Sequence, residues 1–367
     1  MGAVERSWAG SPERGSWTRT LLPFSVLYGA IAARARAGAS RKRRPLAGTY
    51  VIAVGGLTVG GSGKSTLARW IALEASALGA RSAVLLRGHG ARRRGRTTDV
   101  VPDFPGYPSF AAVNRVGDEA LAHRAALPLG TTVAVDRDRY RAGRVVRDGY
   151  GATVLVLDDG WEQDRLCWDE LWIALDPARP FGNGALLPAG PLRRAPGSLR
   201  EATVVALVHE DEREAPPGAL LDRLRSLAPR ARLLRFRRRL DGARAVGAPP
   251  SGPWNGRGKT AGLISGVGSP DRLTRFARAS GIPVVSHAAF PDHARWSDTA
   301  IRRAAREAAG AGAEALLITE KDEPRWPPGF VSDLPVLVLR TSLEPLDSRP
   351  DVLESLRGAL AALPGIG

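Results

Sequence analysis

Scarcity marks this chain. Its 367 residues include one cysteine (Cys167), one methionine and four lysines: Lys42, Lys64, Lys259 and Lys321. A single thiol excludes an internal disulfide framework and suits a reducing compartment. Acid is short as well, with 37 Asp+Glu against 53 Lys+Arg, a net charge of +16 and a pI near 11.1. That imbalance implies an anionic partner: nucleic acid, an acidic membrane surface or a phosphorylated ligand. The N-terminal apolar run, Leu21 to Ala33, is too short for the about 20 residues that span a bilayer.

What is present is enough for a folded core. An apolar content of 44% over this length leads one to expect a globule of two domains.

The most informative stretch runs from Val51 to Thr66, VIAVGGLTVGGSGKST. An apolar run from Tyr50 to Val54 breaks into glycines and a Lys-Ser pair, then resumes with helical spacing from Leu67. Strand, glycine loop and helix form the context in which backbone N–H groups wrap a phosphate at a helix's positive end. The candidate cradle is Thr58, Val59, Gly60, Gly61, Ser62, Gly63, Lys64 and Ser65. Lys64 is expected to reach the β and γ phosphates of ATP, and the Ser65 hydroxyl to hold Mg²⁺. Thr58 stands where the strict pattern has its first glycine. A flexible turn with a chance lysine is the bland alternative, and four lysines in an arginine-rich chain make that chance small.

Around the apolar N-terminal run lie Arg19, Arg34, Arg36 and Arg41-Lys-Arg-Arg44. Its length also allows a signal peptide, but arginines follow it at once and a secreted phosphate loop would meet no ATP. A helix lying in the membrane interface fits better, beside the plainer reading of a helix packed on the protein's own core.

Beyond the loop, Ser82 to Leu86 reads as a strand ending in Arg87-Gly-His-Gly90, followed by a basic loop with Arg92, Arg93, Arg94 and Arg96. Gly117-Asp-Glu119 opens a helical stretch, and on local sequence Asp118 and Glu119 serve the helix dipole. Val154-Leu-Val-Leu157 closes on Asp158 and Asp159, carboxylates at a strand's C-terminal end where open α/β sheets bind ligands. Beside a phosphate loop they read as the acidic partner of the Mg²⁺ shell, against a plain Asp-Gly turn. A further strand from Leu171 leads into a long Gly- and Pro-rich loop, Arg179 to Arg194, whose arginines could stabilise phosphoryl charge.

GGLTVGGSGKS, RGHG, GDEA, LDDG and RPFGNGALLPAGPLR, in this order, resemble the tetraacyldisaccharide 4'-kinase family, as do LLPFSVLYG, FPDH (Phe290 to His293) and ITEKD (Ile318 to Asp322). The likeness runs from about Trp17 to Asp322. It implies a membrane-associated, cytoplasm-facing kinase that phosphorylates an acylated disaccharide lipid, a lipid A precursor, with ATP and Mg²⁺. The implied fold is α/β: a P-loop NTPase-like, mostly parallel sheet with a second, smaller α/β domain and an N-terminal membrane-interface helix. By motif position Asp118 is similar to the family's catalytic aspartate and His293 to the histidine that works with it. Lys64 and Ser65 match the phosphate and metal positions, Asp158 and Asp159 the acidic pair, and Arg193 the arginine of the PAG-x-LR run. Glu119 joins Ser65, Asp158 and Asp159 in the candidate metal set. Three letters depart from the pattern: Thr66 replaces a proline, His89 a tyrosine and Gln163 a histidine.

The C-terminal half repeats a strand-helix rhythm. Arg235-Phe-Arg-Arg-Arg239 is a candidate linking strand, and Gly262 to Gly268 restarts an α/β pattern whose G-x-G is weak support for a second nucleotide site. Pro-rich loops at 215–218 and 247–253 suggest crossings. The expected divisions are a segment 1–45, a P-loop domain 46–240 and a smaller domain 241–367, closing over substrate. Rival readings are a P-loop kinase or NTPase for another substrate and a basic nucleic-acid-binding protein. The basic runs lack interleaved aromatics, so no nucleic acid is expected, and no segment points to an obligate protein partner.

Overall fold

The computed structural model describes residues 20–40, 42–88, 97–102, 110–163, 165–210, 216–247, 258–291, 296–327, 329–348 and 352–362. Three expectations fall outside them: His293, the basic run 89–96, and most of the 247–253 loop.

The apolar runs become strands because both their faces are covered, as in parallel sheets. In β1 (Tyr50–Gly55) Ile52 and Val54 enter one core while Val51 and Ala53 enter the core on the opposite face. The same alternation divides β5 (Val154–Leu157). With β2 (Ser82–Leu86), β3 (Asp99–Val101), β4 (Thr132–Val135), β6 (Glu170–Leu175), β7 (Val204–His209) and β8 (Arg232–Ala245) they form one half of a sheet. The other half holds β9 (Ala261–Ser265), β10 (Val284–Ala289), β11 (Ala315–Thr319) and β12 (Val336–Pro345). The spatial order is β10-β9-β11-β12-β8-β7-β6-β1-β5-β2-β4-β3. All neighbours pair parallel except β3–β4 at the edge and β12–β8 at the junction. The sheet is thus mostly parallel and continuous.

β8 is where the halves join. Its residues Arg232–Arg237 pair with β7, and Phe236–Ala245 pair with β12. The basic strand read from the sequence is therefore the bridge, and its arginines are matched to acids. Arg235 meets Asp347, Arg237 meets Glu344 and Arg238 meets Glu210.

Nine helices are described: α1 (Leu22–Ser40), α2 (Lys64–Ala77), α3 (Phe110–Val116), α4 (Asp118–Ala126), α5 (Arg139–Tyr150), α6 (Gly218–Leu227), α7 (Pro270–Ala279), α8 (Asp298–Gly310) and α9 (Glu354–Ala362). The last returns to the first half, where Val352, Leu353, Leu356 and Leu360 share a core with β1, β5 and β7.

On α1, Ser25 is buried and bonded to the 186–189 loop: its Oγ donates to Leu186 O at 2.8 Å and accepts from Ala189 N at 3.0 Å. Phe24, Leu27 and Ile31, three and four residues apart along one ridge, are each more than half exposed. Among the described residues no helix is long and apolar enough to cross a membrane.

Candidate active site

The glycine loop leaves β1 at Gly55 and ends at Gly63, which precedes α2 with φ 94°. Only a residue without Cβ takes that angle cheaply. Thr58 needs no such freedom: it bridges to Leu192, Val59 N donates to Pro191 O at 2.8 Å, and Arg193 N donates to Leu57 O at 2.7 Å. The Pro-Ala-Gly-Pro-Leu-Arg stretch therefore runs beside the glycine loop, which explains both the missing first glycine and the long loop's use.

Gly56 shows how tight the cradle is. A Cβ there would stand 2.8 Å from Ser62 Oγ and 3.3 Å from Lys64 Cδ. The Ser62 hydroxyl is buried with no hydrogen-bond partner. Lys64 Nζ donates to Gly60 O at 3.4 Å. Burial lowers the Lys64 pKa, with Asp159, Asp158 and Glu119 opposing that and Arg193 adding to it. Four expected site residues thus act electrostatically on the one loop lysine.

The two strand-end aspartates have separate environments. Asp159 takes φ 50°, the one left-handed non-glycine residue among those described, a conformation aspartate tolerates better than most. It receives both arms of Arg193, at 2.8 and 2.7 Å. Asp158 is buried, and its Oδ2 lies 2.8 Å from His123 Nε2. Burial pushes the Asp158 carboxyl up, but His123 and Ser65 outweigh it and hold the pKa below the usual value. Its Oδ1 is buried without a hydrogen-bond partner.

This orphaned oxygen beside Ser65 fits a divalent cation. Among the described residues no group of three or more His, Cys, Asp and Glu is set to hold a metal. Mg²⁺ takes one or two carboxylates and completes its shell with water and substrate phosphates, and Asp158 with the Ser65 hydroxyl would meet that demand.

Asp118 begins α4 after Gly117 and is buried. Its Oδ1 accepts Glu119 N at 2.9 Å, so the local helix-start reading holds beside any catalytic one. Its Oδ2 meets Arg325 NH2 at 2.8 Å, and Glu119 meets Lys321 Nζ at 3.2 Å. Arg69 on α2 pairs with Glu320 at 2.7 Å. The ITEKD segment, which ends β11 and runs past it, therefore faces the acidic start of α4 across the halves. His293 lies outside the described residues. Phe290 and Trp296, on either side of its segment, have ring centroids 5.1 Å apart, and Arg325 lies over the Trp296 ring.

The G-x-G of the second half has a different use from a second nucleotide site. Gly268 abuts the glycine loop, where a Cβ would stand 2.7 Å from Gly60 Cα, and Arg272 bonds Gly61 O, Val208 O and Glu210. Two departures from the family pattern also have partners. Thr66 accepts from Arg238 at 3.1 Å, and Gln163 closes its own loop by accepting from Arg165 N and Leu166 N.

Sequence reasoning missed His123 and Arg325. Neither has a local signal, since each meets its partner only across the fold. Lys321 was within reach, because the scarcity that marks Lys64 applies equally to it.

A loop of this build holds the polyphosphate of a nucleotide at a helix N-terminus. Fold and site together therefore define the class, a P-loop nucleotide-binding α/β protein. Within it, the tetraacyldisaccharide-1-P 4'-kinase family model matches residues 17–361, and the chain belongs to that family. A tetraacyldisaccharide 4'-kinase of Anaeromyxobacter sp. (strain Fw109-5) is 34% identical over 370 residues, covering 98% of this chain and 97% of its own. That of Pelobacter propionicus is 35% identical over 324 residues, covering 85% and 83%. The solved LpxK of Aquifex aeolicus, in complex with ATP, aligns with a TM-score of 0.67 at 25% identity over 94% of this chain and 99% of its own.

Proposed function

We propose that the chain transfers the γ-phosphoryl group of ATP to the 4'-hydroxyl of a tetraacyldisaccharide 1-phosphate, a step of lipid A biosynthesis. The observation that carries it is Arg193 lying against the glycine loop (its N–H on Leu57 O at 2.7 Å) with its guanidinium on Asp159 at 2.7 Å, in a chain matched by the family model almost end to end.

Phosphoryl transfer has a loose transition state, so placement and charge neutralisation outweigh a strong base. Residues 58–65 cradle the triphosphate. Lys64 exchanges its bond to Gly60 for the β and γ phosphates, and Arg193, held by Asp159, faces the transferring charge. Ser65 and Asp158, with Glu119 near by, would hold Mg²⁺, which neutralises phosphate charge when bound. Asp118 takes the proton of the attacking hydroxyl late, and His293 orients it. The division at 240/241 belongs to the same proposal: the second half closes on substrate, with β8 as the shared strand.

The lipid substrate places the site at a membrane, and α1 supplies the means. Its Phe24-Leu27-Ile31 ridge enters the interface of the inner membrane's cytoplasmic face while the following arginines meet anionic headgroups.

The test is ATP-dependent phosphorylation of tetraacyldisaccharide 1-phosphate in detergent micelles. A 4'-phosphorylated product is expected. Inert lipid with phosphorylation of a soluble sugar or nucleotide would assign the site to another P-loop kinase. Duplex binding at nanomolar affinity with a steep salt slope would revive the nucleic-acid reading.

A further inference from the structure

The proposed base is held in place by a side chain that no motif of the glycine loop or acidic strand supplies. Asp118 sits at the start of α4, and Arg325 comes from the short 3-10 turn Glu323–Arg325 in the other half of the sheet. Their side chains, 4% and 7% exposed, meet at 2.8 Å. Arg325 is itself fixed. It lies 3.6 Å from Asp322 Oδ1, reaches Gly266 O at 3.5 Å and stacks over Trp296. Asp322 is fully buried and bonded to the Gly266 N–H at 2.9 Å and the Thr319 hydroxyl at 2.6 Å. A Cβ on Gly266 would stand 2.7 Å from Arg325 NH1, so glycine there leaves the guanidinium its place.

We infer that Arg325, seated by Asp322, is a positioning residue for the reaction: it anchors Oδ2 of Asp118 while the Glu119 N–H holds Oδ1, and together they fix the carboxylate toward the acceptor hydroxyl. Rotation about Cα–Cβ and Cβ–Cγ leaves a lone aspartate several rotamers. A charge-assisted bond from a buried, planar guanidinium selects one. Because Arg325 stands on the opposite half, the same contact makes the aim of Asp118 depend on the two halves being together. The inference rests on Asp118 acting in the transfer, as proposed above.

Four variants of the full-length chain decide it: Arg325→Met, Arg325→Lys, Asp118→Asn and the Asp118→Asn/Arg325→Met pair. Each is assayed for kcat and KM with tetraacyldisaccharide 1-phosphate and for binding of a fluorescent ATP analogue. Misplacing a reacting group costs roughly 10²-fold, so Arg325→Met should lower kcat by about that factor with nucleotide binding unchanged. Arg325→Lys, which restores a point charge, should recover part of the loss. The double variant should be no slower than Asp118→Asn alone, because a residue that acts through another has nothing left to lose. Multiplying losses, full activity of Arg325→Met, or a gain in kcat (an inhibitory contact) would each overturn the inference while Asp118→Asn remained impaired. An active Asp118→Asn would instead overturn the role of Asp118, and the inference with it.

Discussion

At the scale of single residues, the site is built by giving like groups unlike neighbours. Asp158 and Asp159 are adjacent in sequence, yet one is bonded to His123 with an oxygen left over and the other is saturated by Arg193. In the proposed reaction Mg²⁺ would therefore be held by Asp158 more than by Asp159. Lys64→Ala should abolish turnover, and retained activity would remove the loop from its role. Asp118→Ala and His293→Ala should each lower kcat by about 10² to 10⁴. Their combination should match the worse single variant, whereas fully multiplicative losses would count against a joint role. The departures at Thr66 and Gln163 each have partners at this scale, Thr66 accepting from Arg238 of the bridging strand and Gln163 from its own loop.

At the scale of elements, two contacts carry consequences. The turn after β9 presses on the glycine loop at Gly268 and Gly60. Gly268→Ala overpacks that contact at about 1–3 kcal/mol, so KM for ATP should rise roughly 5- to 150-fold. Gly262→Ala, which crowds Ala308 away from the loop, should lower thermal stability and leave KM for ATP unchanged. The second contact is the docking of α1 through Ser25, which leaves its apolar ridge outward. Burying a Leu or Ile side chain stabilises by about 1.5–3 kcal/mol. Leu27→Asp with Ile31→Asp should therefore cut co-sedimentation with anionic vesicles at least about tenfold without shifting Tm. Complete release of the native chain by high salt alone would show that the ridge is not inserted.

At the scale of the whole molecule, one sheet serves both halves, and buried ion pairs hold them across the loop. Glu210, at the end of β7, binds Arg272 of the second half and Arg238 of the bridging strand. Burial alone would raise its pKa, but Arg272 and Arg238 hold it below the ordinary carboxylate value. A depressed folded pKa stabilises above the unfolded value and is lost as pH falls through the folded one. Tm should therefore hold steady above about pH 5 and drop below about pH 4.3. Glu210→Gln should destabilise by about 3–5 kcal/mol at pH 7, the penalty of breaking a buried pair, with the gap narrowing in acid. A gap independent of pH would show that Glu210 is held by packing instead of charge.

Local chemistry was enough for much of this. Apolar runs closed by Gly or Asp marked β1, β5, β6 and β9, because strand formation and phosphate cradling depend on neighbours within a few residues. The order Gly loop, Asp118, Asp158–Asp159, Arg193 likewise lies in the chain itself. Pairings between distant segments do not, since side chains tens to hundreds of positions apart have no common periodicity to read. Only the folded sheet could decide that α9 returns to the first core, that Gly268 seats on Gly60, that His123 meets Asp158 and that Arg325 holds Asp118. The sequence by itself determined which groups can handle phosphate. Tertiary structure decided which of them are held still, because orientation comes from partners that the chain supplies from its other half.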